Sequence, residues 1–273
     1  MQLGRLIAFT LALGAPAFAV ENKKPSKSGH AADEAHIKEE LGVNQFTTPS
    51  IETLLAALGN LRPGSYEAVS RDLPAQNATD RARLALSTGA VIADGFLAVI
   101  AEKQSRIEPI GRVLLRQAKG LGVGDHVTRH SRSILEKAGS KDWEGVRSEL
   151  IGTQRDVEQG MLALKDEEIA HLVSLGGWWR GLEIAASIVN EHYTPERAAL
   201  LLQPSVLDYF ADRISTLNPS FKKTKLWSAL DTNLRETRRL VIKDDHSALT
   251  KDEVKKLHAL AKSTNDAIAT PEE

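Results

Sequence analysis

The chain contains no cysteine. Disulfides, thiolate metal ligands and lipoprotein acylation are therefore excluded, and the fold must be held by burial alone. Aromatic residues make up only 5% of the sequence, so the core must be largely aliphatic. No run alternates apolar and polar residues long enough to argue a sheet, and no fixed-period repeat suggests a solenoid. The sequence also lacks Gly-x-Ser-x-Gly, a P-loop, a dinucleotide fingerprint and His-Glu-x-x-His, so no catalytic residue is assigned. With 35 Lys and Arg against 36 Asp and Glu, the chain is not a polycationic nucleic-acid binder.

What is present begins with an export signal. Arg5 precedes an apolar core from Leu6 to Leu13, then a Gly14/Pro16 break and the small-residue pair Ala17 and Ala19. This order predicts cleavage after Ala19. An apolar stretch of about 13 residues is too short to cross roughly 30 Å of hydrocarbon. The expectation is an exported protein, periplasmic or extracellular, with 34 basic and 36 acidic residues after Arg5 is removed. Residues 20–47, polar and rich in Lys, Ser and Gly at their start, read as a weakly ordered leader. A helical domain is expected over 48–268.

Helix punctuation divides that domain. Thr48-Pro49 and Thr194-Pro195 pair an N-cap with proline at the first helical position, and Thr250 with Glu253 forms a capping box. Thr79 is expected to cap a long segment running to about Lys119, ended by Gly120 and Gly122, and Ser140 to cap the segment carrying Trp143 to Leu164. The signals predict an all-α bundle of about seven to nine helices. Two segments, 84–101 and 172–189, are apolar nearly all round and are expected to be central. Each contains charge, Asp94 in the first and Arg180 with Glu183 in the second, which favours a core helix over a membrane span.

These charges supply the first candidate site. Gly176-Gly177-Trp178-Trp179-Arg180-Gly181 places three glycines inside a helix, where each costs roughly 1 kcal/mol. Trp178, Arg180 and Glu183, facing Asp94, are the candidate ligand-binding residues. The competing structural account has Asp94 on a narrow polar edge with Asp80, Arg83, Ser87 and Ser105, or paired with Arg180, and the tryptophans filling the core.

Two weaker patterns raise a metal. Glu168 and His171 form one Glu-x-x-His element, which carboxylate-bridged bundles use in duplicate. His126 and His130 lie four apart, a spacing that can grip one divalent ion, although Arg129 and Arg132 oppose a cation. Charge is also uneven: residues 34–212 carry 19 basic and 25 acidic side chains, whereas 213–262 carry 12 basic and 6 acidic. The expected function is an exported soluble binding or interaction protein, with a small ligand or an envelope partner, no nucleic acid and no cofactor. The alternatives are a metal-dependent bundle enzyme using Glu168 and His171, and an envelope scaffold docking its basic C-terminal face on an anionic surface.

Overall fold

The computed structural model describes residues 65–243 and 247–270, and every described regular element is helical. The signal, the leader and the Thr48-Pro49 cap lie outside the described residues. In chain order the helices are α1 (Ser65–Val69), α2 (Arg81–Ile100), α3 (Gln104–Leu121), α4 (Gly124–Gly139) and α5 (Trp143–Ala163). They continue as α6 (Glu167–Glu191), α7 (Pro195–Ala199), α8 (Pro204–Ser215), a 3-10 turn (Phe221–Lys223), α9 (Lys225–Val241) and α10 (Lys251–Ala269). Eight of these are long, as an all-α multi-helix bundle requires.

Local chemistry sets most boundaries. The Thr194 and Thr224 hydroxyls accept the amides of Arg197 and Trp227, and the Thr250/Glu253 capping box is closed in both directions. Gly122 ends α3 in the left-handed region at φ 90°, where a side chain would be strained. Three expectations are corrected. Asp80 rather than Thr79 caps α2, accepting Arg83 N–H at 2.7 Å. Asp142 rather than Ser140 accepts the Gly145 amide at the start of α5. The single segment expected from 79 to 119 is two helices, because the chain reverses at Glu102 with φ 52°. Ser105 therefore sits on α3, and no continuous polar edge joins it to Asp94.

The apolar helices α2 and α6 are buried on almost every face and pack extensively on one another. Although α2 is long and apolar enough to cross a membrane by composition, 89% of its apolar window is buried within the bundle. Helices α3 and α5 pack on α2, α4 packs on both, and α10 packs on α6 with α9 against it. The α2–α6 contact is made by backbone. A methyl added at Gly89 would fall on the Val173 carbonyl and lie 2.6 Å from Gly177 N, while one at Gly176 would fall on the Leu86 carbonyl. Gly111 in α3 has open space instead.

The last helix is fastened from the centre. Arg83, buried at the start of α2, donates to the carbonyls of Ala267, Ile268 and Thr270, which a helix C-terminus leaves unpaired.

This packing separates glycines that look alike in sequence. Gly89→Ala and Gly176→Ala should each lower unfolding free energy by about 2–3 kcal/mol or more, because the helices must part. Gly111→Ala should instead raise it by up to about 1 kcal/mol through helix propensity. Denaturant melts of the three variants test the contrast.

Candidate functional site

Beyond the glycine crossing, α2 and α6 bring two opposite charges together inside the bundle. Arg180 is 1% exposed and Asp94 5% exposed. Arg180 Nε donates to Asp94 Oδ1 at 2.8 Å, Nη1 lies 2.8 Å from Glu183 Oε2, and Nη2 donates to the Val69 carbonyl at the end of α1. Arg71 Nε donates to the second Asp94 oxygen at 2.9 Å. Burial disfavours a charged Arg180, but Asp94 and Glu183 reverse that, and its pKa ends above the ordinary guanidinium value.

Helix α10 completes the cluster. Asn265, 3% exposed, directs Nδ2 at Glu183 Oε2 (2.9 Å), the Ala261 carbonyl (3.0 Å) and the Trp179 carbonyl (3.1 Å). Three acceptors around one end of the amide fix its orientation, since the reversed amide would set oxygen against oxygen. The other end, Oδ1, is buried away from water and, among the described residues, has no hydrogen-bond partner. His258 stands near Glu183, with its pKa lowered chiefly by burial and further by Lys262 and Arg180, against the opposing Glu183.

These groups border a cavity of about 200 Å³ between α1, the Ser70–Arg71 segment, α6 and α10. Its walls carry Arg71, Arg180, Glu183, His258, Lys262 and Asn265. A second cavity of about 230 Å³ lies among α3, α4 and α5, walled mainly by aliphatic side chains such as Ile107, Ile110, Leu114 and Leu150. Its hydroxyls, Ser131 and Thr153, already donate to the carbonyls of Thr128 and Glu149 within their own helices. The first cavity is the better candidate because several charged and polar side chains, Arg71, Glu183, His258 and Lys262 among them, converge on it.

Arg180, Glu183 and Asp94 thus converge, and Trp178 does not. Trp178 is buried on another face of α6, donating Nε1 to Gln203 Oε1 at 3.0 Å and packing against Trp179 and Phe210. Its expected place beside Arg180 in a pocket is corrected: residues two apart on a helix point about 200° apart. Sequence reasoning missed Arg71, His258 and Asn265. Asn265 carried a readable signal, as a polar residue four positions after Ala261 and three before Ile268 in an otherwise apolar stripe.

The candidate metal residues are engaged elsewhere. Glu168 Oε1 accepts the Asn218 amide at 2.8 Å, and His171 Nδ1 lies 3.1 Å from the Tyr209 hydroxyl. His130 has Nδ1 at 2.7 Å from Glu149 and Nε2 at 3.2 Å from Asp156, so both ring nitrogens face carboxylates. Hydrogen bonds from His130 and Ser133 hold the Glu149 carboxyl below its usual range. His126 packs on α5 at Gly160, where a methyl would lie 2.9 Å from its Nε2, and Gly152 makes similar room for His130. Among the described residues no group of three or more His, Asp or Glu is placed to hold a metal ion. Of the basic C-terminal residues, Arg235, Arg238, Arg239 and Lys243 pair with Asp231, Asp208, Glu236 and Glu253.

Two stability measurements follow from the buried groups. Asp94→Ala takes from Arg180 the more deeply buried of its two carboxylate partners and should cost about 3 kcal/mol in denaturant unfolding. His171 has its pKa lowered from 6.5 to about 4, first by burial and then by Arg213. The unfolded chain therefore takes up this proton before the native one does. Stability is fully present above about pH 6.5 and is lost as pH falls toward 4, by about 3 kcal/mol for this group. His258 contributes in the same direction. His171→Gln should flatten much of that slope in unfolding curves measured across the window.

No family model matches the chain, and comparison with curated proteins and with solved structures finds no match.

Proposed function

We propose that this is an exported binding protein that takes a small polar ligand in the Arg180/Glu183/Asn265 cavity. The observation that carries the reading is the charged lining of the cavity, where Arg71 donates only Nε to Asp94 and, among the described residues, leaves both terminal nitrogens without a hydrogen bond. The surrounding ion pairs and hydrogen bonds fix the side chains before a ligand arrives, which reduces the ordering cost of binding. The size is suitable: a cavity of ~150 Å³ suffices for a benzene-sized molecule, and this one is about 200 Å³. The metal-enzyme and anionic-scaffold readings have less support, since Glu168, His171 and His130 already have protein partners and four of the basic C-terminal residues are held in ion pairs.

Native mass spectrometry of protein purified from its own host, set against its denatured mass, tests the reading. The expected result is a non-covalent organic adduct that Arg71→Gln weakens. A bare polypeptide, or an adduct indifferent to substitution at Arg71 and Asn265, would overturn it. A metal-sized excess would return attention to Glu168 and His171.

A further inference from the structure

The second cavity, among α3, α4 and α5 over α2, suits a different ligand. Ile107, Leu114, Val127, Ile134, Val146 and Leu150 wall it. Its two hydroxyls, Ser131 and Thr153, already donate to carbonyls of their own helices, so neither needs a ligand partner. Two glycines keep the space open: Gly95 on α2 and Gly111 on α3 both line it. A methyl at Gly111 would meet nothing within 4 Å, and one at Gly95 would rest 3.6 Å from Ile110 and Leu150, an ordinary contact. A side chain would therefore fit at either position, whereas the helix crossing forbids one at Gly89 and Gly176. Each glycine gives up helix propensity, and aliphatic walls around a void lose the dispersion contacts of a filled core. Water recovers little of that loss, because apolar walls offer it no hydrogen bonds.

The cavity reaches the surface. Leu135, on its wall, is 46% exposed. Glu108 and Arg112, also on the wall, form an ion pair with both side chains more than half exposed. That pair is neutral as a unit, so the opening selects no charge. The space admits one short chain, not a helix about 10 Å across. We propose that this is a second binding site, independent of the polar cavity, and that it takes the aliphatic chain of a small free amphiphile. The chain lies against Gly95 and Gly111, and the head stays in water beside Glu108 and Arg112. A cavity of ~150 Å³ suffices for a six-carbon ring, so this one of about 230 Å³ suits a chain of roughly eight carbons.

The test is calorimetric titration of the full chain with straight 1-alkanols of increasing length, beside octanoate and octylamine. Affinity should rise about fourfold per added carbon and level off at roughly eight carbons. Octanoate and octylamine should bind within about fivefold of octanol, since an exposed ion pair contributes little. Gly111→Leu should cut octanol affinity about tenfold or more without lowering the unfolding midpoint. Gly95→Ala should move the levelling-off shorter by about one carbon. Arg71→Gln, at the polar cavity, should leave the whole series unchanged, which separates failure of this site from failure of that one. No alkanol binding, affinity independent of chain length, or binding indifferent to a folded Gly111→Leu variant would overturn the assignment. So would binding seen only with phosphatidylcholine vesicles, or a dimer that Gly111→Leu dissociates, which would give the cavity to a bilayer lipid or to a second copy of the chain.

Discussion

Contact between two backbones, where α2 crosses α6, governs the rest of the molecule. Side chains normally keep helix axes 8–10 Å apart. At Gly89 and Gly176 there is none, and each helix comes to rest on the other's peptide groups. Because both helices are largely enclosed by the remaining layers, Asp94 and Arg180 near the crossing are almost entirely withdrawn from water. Asp94 and Arg180 answer each other there, and Arg71, Glu183, Val69 and Asn265 satisfy what the pair leaves over.

A buried ion cluster is seldom the cheapest way to fill a core, since apolar residues of the same volume often do as well or better. Its contribution here is geometric. Arg180 reaches α2, α1 and its own helix at once, so the position of α1 against the central pair is set by hydrogen bonds as well as by packing. Asn265 does the same for α10. The cavity is the space left where these three elements meet.

Much of the fold was legible in sequence, and the reason differs by element. All-round apolarity identified α2 and α6 because a helix without a polar face can only be central. Thr194, Thr250 and Pro195 marked helix starts through local hydrogen bonding that needs no tertiary context. The break at Glu102 was hidden, because a non-glycine residue takes the left-handed conformation there without glycine or proline to announce it. Of the site, Asp94, Arg180 and Glu183 stood out as the few charges in two central helices, but the direct Asp94–Arg180 pair depends on how those helices cross and was not legible. Trp178 was misplaced by reading proximity in sequence as proximity in space. Arg71 lies in an irregular segment, and Asn265 is 82 residues from the carboxylate it binds, so neither association is encoded locally. Gly152 and Gly160 were likewise opaque, since their role is to make room for imidazoles on another helix.

The clamp of Arg83 on the carbonyls of α10 spans 184 to 187 residues of chain. Helical bundles usually fold through local contacts and fold fast. Here the last helix must return to the beginning of the described chain before the centre is closed. A chain still lacking α10 can pair α2 with α6, but it leaves Glu183 and the Trp179 carbonyl without Asn265 and exposes the apolar side of α6 that α10 covers. The final nineteen-residue helix is thus the step that converts a sticky partial bundle into a closed one. Damage near the C-terminus should therefore register as aggregation and proteolysis of the whole molecule, far from the lesion itself.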